Sequence, residues 1–443
     1  MSHPRKASGR VNFSALLVLL LVCVCVLSGV LAANAQVEQP KDAAGYIAAA
    51  RKAYGEQNFA AFLENAKRAE ELSPPNYPRV MYYLAIGYAL NGDKQNALAW
   101  LEREARMGIV LPVASDDNFK SIKDTDEFKA VAEKFRLNTL PLVRSVPAFT
   151  VREKGLVPES VAYDPVTKNF YLSSIYRRKI LRVGADGAAS EFAAERDGLW
   201  SVAGMKVDAA RRLLWACTVA HPQMSGFRAE EDGTTALVKF DLRTGKLLKK
   251  YALPNQPAHH WLGDLAITST GDVYATDSLQ PIIYVVRHGR DEIEPFLESP
   301  LFTSPQGLDF APGEKQLFMA DYSKGVFVID LASKQAAPIQ PPPDATLLGI
   351  DGLYFHRGAL VAVQNGVNPN RIVRLQLSPN YQRVVTFETL EANNPVFDEP
   401  TLGVVVKDDL FFIANSQWGA IDEKGNLAPL EKLKDPVVLK LKL

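Results

Sequence analysis

Three polar side chains, Glu159, Gln306 and Asp351, recur at one position of a repeated pattern in the chain. Each stands at the start of a short stretch in which apolar residues alternate, as in a half-buried strand. Carboxylate and amide oxygens are the ligands that calcium prefers in proteins. A carboxylate in such a place can also take a proton from water. These residue types therefore predict a site for a divalent cation or a polar substrate.

The pattern occurs six times, and most copies start about 43 to 51 residues apart, close to the roughly 40–50 residues of a four-stranded propeller blade. The one longer interval, about 60 residues, contains a polar insertion at 221–235 that lengthens one blade. The fold class is therefore predicted to be mainly β, a six-bladed β-propeller with the first residue of each inner strand facing a central channel. Those first positions are Glu159, Ala203, Gly263, Gln306, Asp351 and Leu402.

Polar loops that follow the second strand of each blade are expected on the same face as these six positions, together with the blade-joining loops. Function usually lies on loops held by a rigid scaffold, so this face is the predicted binding face. The candidate substrate-binding residues on it are Trp200, Trp261, Asn365 and Asn415. The insertion at 221–235 is either a lid over this face or a solvated acidic loop.

Two adjacent histidines, His259 and His260, precede the third inner strand. A histidine near a bound cation could serve as the general base for hydrolysis. Adjacent residues of an extended segment point in opposite directions, so at most one of the two faces the channel. His260 is the candidate, and Asp351 is the second candidate catalytic residue.

The blade pattern resembles the gluconolactonase, regucalcin (senescence marker) and strictosidine-synthase-like group of six-bladed propellers over residues 150–443. The resemblance implies a divalent cation, usually calcium, in the channel, where it polarises a lactone or ester carbonyl. The motifs that carry it are Pro158-Glu159, Val273-Tyr274-Ala275-Thr276-Asp277-Ser278 after Gly271, Ser304-Pro305-Gln306-Gly307-Leu308 and Asp351-Gly352-Leu353.

The resemblance assigns cation ligands residue by residue, and two of four positions depart from the pattern. Glu159 and Asp351 match the acidic ligands of the first and fifth blades. Gln306 and Gly263 stand where the group has asparagine, and Asp264 follows as the acidic residue often found there. Two outcomes are open: a weakly held calcium or other divalent cation, or a channel in which the two carboxylates bond only to backbone and water.

A helical period replaces the strand pattern at the front of the chain, from Lys41 to about Phe135. Residues 83–97 resemble a tetratricopeptide repeat, in which small residues let paired helices approach. Phe62 and Glu104 stand where that repeat has small residues. We expect a TPR-like helical domain at 36–138 that ends in a closing helix pair, a linker at 139–147 and the propeller at 148–443. The domain is either a groove for a peptide or protein partner or a cap without a ligand.

The first 35 residues are predicted to be a secretory signal peptide, with a basic start, an apolar run and a small-x-small cleavage site at Ala33-Asn34-Ala35. An uncleaved membrane anchor is the alternative, and would be the only contact with a membrane. Cleavage leaves Cys217 as the single cysteine, so no intrachain disulfide is expected. The protein is expected to be secreted or periplasmic. The formal net charge of zero argues against a nucleic-acid partner.

These patterns lead to two hypotheses about function. The first is a divalent-cation-dependent hydrolase of lactones or esters, with cation ligands Glu159, Gln306, Asp351 and Asp264. The second is a non-catalytic scaffold in which the propeller face and the helical domain bind a peptide, glycan or protein partner.

Overall fold

The computed structural model describes residues 40–184 and 186–443, and the predicted signal peptide lies outside this part of the chain. Helices precede the strands, as the change of sequence period predicts. The helices are α1 (Ala43–Gly55), α2 (Phe59–Leu72), α3 (Pro78–Leu90), α4 (Lys94–Arg106) and α5 (Asp126–Leu137). No helix in the described part of the chain combines the length and apolar character needed to cross a membrane.

Polar caps fix where these helices begin. Asp42 accepts a hydrogen bond from the backbone N–H of Gly45, and Asp93 accepts one from Asn96, so each start satisfies an amide that has no partner in the helix. The predicted closing helix pair is wrong. Two 3₁₀ turns, Val113–Ser115 and Asp117–Phe119, and the single helix α5 occupy that segment.

The strands form six four-stranded antiparallel sheets in the described residues, which confirms the six-bladed propeller. Blades 1 to 5 each use four consecutive strands, numbered β2 to β21, with the first strand innermost. Blade 1 contains β2 (Val161–Tyr163), β3 (Phe170–Ser174), β4 (Lys179–Val183) and β5 (Ala189–Ala193). Blade 2 contains β6 (Ser201–Asp208), β7 (Leu213–Val219), β8 (Thr235–Asp241) and β9 (Leu247–Leu253). Blade 3 contains β10 (Leu262–Ile267), β11 (Val273–Asp277), β12 (Ile282–Val286) and β13 (Glu294–Glu298).

Blades 4 and 5 follow the same order along the chain. Blade 4 contains β14 (Pro305–Phe310), β15 (Gln316–Asp321), β16 (Gly325–Asp330) and β17 (Ala336–Pro338). Blade 5 contains β18 (Ile350–His356), β19 (Ala359–Gln364), β20 (Arg371–Leu377) and β21 (Val384–Ala392).

Blade 6 combines the two ends of the propeller. It contains β22 (Gly403–Val406), β23 (Asp409–Ile413), β24 (Val437–Lys442) and, as its outermost strand, β1 (Val146–Thr150). Val146 pairs with Lys440, and Thr150 pairs with Val437. The ring therefore closes by hydrogen bonds between the first and last strands. The clean alternation of apolar residues in 437–443 predicts that the two ends of the propeller share one blade, and the sheet order confirms it.

Apolar residues between adjacent blades supply the core, and small residues let the inner strands converge. The rings of Tyr274 in blade 3 and Phe310 in blade 4 lie 5.6 Å apart, edge to face. Around the channel, glycine is required where backbones meet. A Cβ added at Gly307 would lie 2.4 Å from the carbonyl oxygen of Asp351, and one at Gly204 would lie 2.6 Å from that of Gly263. The bulk of any other residue would push the blades apart.

The helical domain is fixed to blade 5 by buried polar contacts. Arg371, fully enclosed, donates from Nη1 to the carbonyl of Met107 at 2.7 Å and from Nε to Oε1 of Gln364 at 2.7 Å. The backbone N–H of Val110 donates to the carbonyl of Asn368 at 2.7 Å. Because the two bonds of Arg371 are shielded from water, the two domains should behave as one body.

Candidate active site

The mouth of the channel contains the carboxyl groups of Glu159 and Asp351, which come from the starts of blades 1 and 5. Asp351 is 9% exposed. Several carboxyl groups face the same enclosed space and raise one another's pKa. Asp351 raises the pKa of Glu159, and Asp264 and Glu399 raise the pKa of Asp351. The structure thus brings together the two acidic residues that the sequence pattern placed on one ring.

One fixed donor orients each of these carboxyl groups. Trp418 donates its indole N–H to Oε2 of Glu159 at 2.8 Å. Asn365 donates from Nδ2 to Oδ2 of Asp351 at 2.9 Å and to the carbonyl of Pro400 at 3.0 Å. Each carboxyl keeps a second oxygen, Oε1 or Oδ1, that makes no hydrogen bond to the described residues. Those two oxygens are the ones available to a ligand.

Burial and charge crowding raise the pKa of both carboxyl groups. Burial, the Asp351 carboxylate and more distant acidic groups raise the pKa of Glu159 well above its ordinary value, although Trp418 opposes them. Burial raises the pKa of Asp351 to about 7, with Asp264 and Glu399 adding to it and the bond from Asn365 opposing it. Two enclosed carboxyl groups with no positive charge of their own would attract a cation.

A second layer of polar side chains lies three residues further along the inner strands and consists of Lys206, Asp309 and Tyr354. Lys206 Nζ lies 4.0 Å from Oδ1 of Asp264 and 5.1 Å from the centre of the Tyr354 ring. Neither carboxylate oxygen of Asp264 makes a hydrogen bond to the described residues. The chain therefore supplies Asp264 with a built-in cation, and the Asp264 carboxyl also contributes to the raised pKa of Glu159 and of Asp351.

Three aromatic rings from different blades meet above Glu159. His221 follows the second strand of blade 2, Trp261 precedes blade 3 and Trp418 follows the second strand of blade 6. The His221 ring is 4.6 Å from Trp261 and 5.9 Å from Trp418, and the two indoles are 6.2 Å apart. This aromatic bridge joins opposite blades and forms an apolar wall beside the carboxyl pair.

His221 is a site residue that the sequence pattern did not single out. It is 5% exposed, and its Nδ1 accepts a hydrogen bond from the backbone N–H of Gln223 at 3.3 Å. Its Nε2 has no partner among the described residues, and burial lowers its pKa to about 4. The ring is therefore neutral at physiological pH. Its position at the start of a polar insertion gave no local sign of this packing.

His260, another candidate residue, is bonded to a neighbouring acid of blade 3 and not to the carboxyl pair. His260 bonds through Nδ1 to Oδ2 of the buried Asp277 at 2.7 Å, and its ring lies against Tyr284 of blade 3. Trp261, its neighbour, points the other way into the aromatic bridge. As two adjacent extended residues require, only one of these side chains reaches the mouth.

Trp200 and Asn415 lie outside the contacts of the carboxyl pair. Trp200 lines a 430 Å³ pocket on the rim of blade 2, where Lys250 Nζ sits 3.2 Å from the centre of its ring. Asn415 is buried and uses both ends of its amide, with Nδ2 donating to Asp435 at 3.0 Å and Oδ1 accepting from Val437 at 2.7 Å. Asn415 thus holds the last strand in blade 6.

Gln306 and Gly263 occupy adjacent positions on the channel wall. Oε1 of Gln306 accepts from the Ser278 hydroxyl at 3.3 Å, and Nε2 donates to Ser304 Oγ at 3.1 Å. A Cβ at Gly263 would lie 2.5 Å from that Ser278 oxygen. The glycine leaves room for the serine. The Gln306 amide oxygen accepts the bond from this serine with one lone pair, and its other lone pair makes it a candidate ligand atom for a bound cation.

The candidate cation ligands would leave most of the coordination of a bound cation to water. Glu159, Asp351 and Gln306 offer three oxygens, whereas calcium takes six to eight. In residues 40–184 and 186–443 no three His, Cys, Asp or Glu side chains are close enough to hold a metal ion together. The candidate set of ligand groups therefore consists of two carboxyl groups and one amide.

The fold and the site define a six-bladed β-propeller with an acidic channel mouth. No protein-family model and no curated protein matches the chain. Solved structures share the propeller architecture at low identity. An aldose sugar dehydrogenase from Streptomyces coelicolor, in its PQQ-bound form, is 14% identical, with a TM-score of 0.46 over 68% of this chain and 99% of its own.

Two further structures are similar to the same extent. A gluconolactonase from Xanthomonas campestris is 14% identical, with a TM-score of 0.44 over 68% of this chain and 94% of its own. A luciferin-regenerating enzyme is 12% identical, with a TM-score of 0.45 over 69% of this chain and 96% of its own. These similarities concern the fold and carry no argument about activity.

Proposed function

We propose that the protein is a divalent-cation-dependent hydrolase of lactones or related esters, with its reaction centre at the channel mouth. The observation that carries the proposal is the pair of enclosed carboxyl groups, Glu159 and Asp351, each with one oriented and one unbonded oxygen. Glu159, Asp351 and the amide oxygen of Gln306 would hold the cation. Such a cation, calcium by the nature of its donors, would polarise the carbonyl of a bound ester.

The surrounding residues support hydrolysis in three ways. Asn365 fixes the carboxyl group of Asp351 through Oδ2, and the carboxyl group so oriented would also accept a proton from an attacking water. Tyr322 donates to Oδ1 of Asn365 at 3.0 Å and fixes that amide in turn. The aromatic bridge of His221, Trp261 and Trp418 excludes water from one side and offers an apolar surface to the ring of a lactone.

Calorimetry with calcium tests the site directly. The wild type is compared with Glu159→Gln, which keeps the shape of the side chain, and with Glu292→Gln, which removes an exposed carboxylate elsewhere. We expect saturable binding in the wild type and Glu292→Gln, and none in Glu159→Gln. Equal calcium binding in Glu159→Gln and wild type would remove the cation from the channel mouth.

A substrate screen tests the reaction. Five- and six-membered lactones and aryl esters are assayed with calcium and with a chelator. We expect turnover that the chelator abolishes, and a loss of about 100-fold or more in kcat/KM in Asp351→Asn, because a general base contributes on that scale. Unchanged turnover in Asp351→Asn would refute the assignment of that residue.

The second candidate function is a binding or scaffold protein, and the docked helical domain favours it. Arg371 and Asn368 tie the helices to the same blade that carries Asp351. A partner that bound the helices would thus lie beside the channel mouth. Extracytoplasmic placement would suit either function and remains part of the proposal. A wild-type protein that bound calcium without turning over any ester in the screen would favour this candidate.

A further inference from the structure

A cavity of about 620 Å³ separates the helical domain from blades 4 and 5. We call it the interdomain cavity. One wall contains Tyr82 and Tyr83 of α3 and Tyr77, which immediately precedes this helix. The other wall contains loop residues of the propeller such as Tyr322 and Lys324. Its volume is in the range of small-molecule sites, and such sites commonly form between domains. It lies outside the channel, and Tyr322 alone among the residues named here also contacts the proposed reaction centre, through its hydrogen bond to Asn365.

Glu104 of α4 belongs to the wall of this cavity and has no partner. The residue is 0% exposed, and neither carboxylate oxygen makes a hydrogen bond to the described residues. Its neighbours Leu101 and Ala105 belong to the apolar core of the helical domain. That leaves the cavity as the side from which a hydrogen-bond donor can come. Burial alone raises the pKa of this carboxyl well above its ordinary value.

Glu104 is also a departure from the repeat pattern, which has a small residue at this position. A small residue would pack there at no electrostatic cost, whereas an unpartnered buried carboxyl destabilises the folded chain. Retaining a costly polar group next to a cavity is typical of a binding site, because the ligand supplies the missing partner.

The tyrosine rings of the cavity are held in place by bonds outside it. The hydroxyl of Tyr82 donates to Oδ2 of Asp116 at 2.5 Å, and that of Tyr83 accepts from Nε of Arg51 at 3.0 Å. With their polar ends engaged elsewhere, these side chains offer the cavity mainly their rings. Aromatic rings around a carboxyl group attract a cation through their electron-rich faces.

We propose that the interdomain cavity binds a small organic ammonium with an aromatic or apolar body, whose cationic nitrogen pairs with Glu104. The body of the ligand lies among the tyrosine rings, and its ammonium supplies the donor that Glu104 lacks. The cationic side chains at this cavity, Arg79 and Lys324, are exposed to solvent, so they do not neutralise the carboxyl. The site does not depend on a cation in the channel.

Tryptamine is the probe, and 3-ethylindole is its uncharged counterpart. Binding of each is measured by calorimetry to wild type, to Glu104→Gln and to Glu56→Gln, which removes an exposed carboxylate just after the end of α1. We expect tryptamine to bind wild type and Glu56→Gln equally, and Glu104→Gln at least 10-fold more weakly. We expect 3-ethylindole to bind wild type at least 10-fold more weakly than tryptamine, and equally to wild type and Glu104→Gln.

Ser323→Trp provides a second variant that leaves the helical core intact. Ser323 is exposed and lines the cavity from the propeller side, so an indole there should fill the space and abolish tryptamine binding. This variant also decides the question if Glu104→Gln does not fold. The proposal is overturned by equal tryptamine binding in wild type and Glu104→Gln, by binding that survives in Ser323→Trp, or by equal affinity of wild type for both probes. It is also overturned by no saturable binding at 5 mM, a concentration about 5,000-fold above a Kd of about 1 μM.

Discussion

The stability of the aromatic bridge should depend on pH through one residue, His221. In the folded protein burial lowers its pKa to about 4, whereas the unfolded chain returns it to about 6.5. Between these values the unfolded chain binds more protons, so the free energy of unfolding rises with pH. The contribution is complete above pH 6.5 and is lost as the pH falls towards 4.

The size of the effect follows from the depressed pKa. A tenfold change in proton affinity corresponds to about 1.4 kcal/mol, so the loss between pH 6.5 and 4 is about 3 kcal/mol. The side chain is well enclosed, which justifies using most of this value. A change of this size is a large fraction of the stability of a typical domain.

Urea unfolding at pH 7.5, 6.5, 5.5 and 4.5, followed by tryptophan fluorescence, measures the effect. In His221→Phe, which keeps a ring between Trp261 and Trp418, we expect the part of the pH dependence that belongs to this residue to vanish. His288→Asn, a change at an exposed histidine, should leave the wild-type slope intact. Parallel curves for wild type and His221→Phe below pH 6.5 would refute the reasoning.

Three further changes probe the ring, the domain contact and an ion pair whose carboxylate is buried. Gly307→Ala should lower the free energy of unfolding by about 3 kcal/mol because its Cβ meets backbone 2.4 Å away, whereas Gly55→Ala, with open space, should not; chemical denaturation compares them. Arg371→Met should cost about 2 kcal/mol by leaving buried acceptors unpaired, and hydrogen exchange should show faster opening of the helices; unchanged exchange would contradict this. Asp164→Asn should remove an acid-sensitive part of the stability. Although burial opposes the shift, Arg212 lowers the pKa of Asp164 to about 2, so this stability is present above pH 4 and is lost as the pH falls through 2. Acid titration of the melting temperature should therefore show a smaller drop in the variant.

The propeller could be predicted because its signals are local and repeated. Each inner strand begins at or within two residues of its predicted first position, and the alternation in Val437–Lys442 was sufficient to predict ring closure. The closing helix pair was predicted wrongly because Asp116 accepts a hydrogen bond from the backbone N–H of Asn118 at 2.9 Å, and such local bonds compete with a helix.

The candidate site was only partly accessible from the sequence, because its contacts join distant parts of the chain. Glu159 and Asp351 could be paired through their repeat positions. Trp418, which orients Glu159 from 259 residues away, has no such position, because it lies in a loop of blade 6. His221 likewise meets its aromatic partners only once blades 2, 3 and 6 are assembled. The role of Asn365 as the orienting partner of Asp351 follows from packing and not from spacing.

The pairing of β1 with β24 also sets the order in which the protein can be completed during synthesis. Blades 1 to 5 consist of consecutive hairpins and can form as the chain emerges from the ribosome. Blade 6 cannot, because its outermost strand β1 is synthesised about 290 residues before its partner β24, and contacts between residues so far apart in the chain form late. A chain that terminates before Val437 would present two bare strand edges to the cell. Strand β24 thus completes the ring, and a chain without it has two open strand edges that proteases or chaperones can bind.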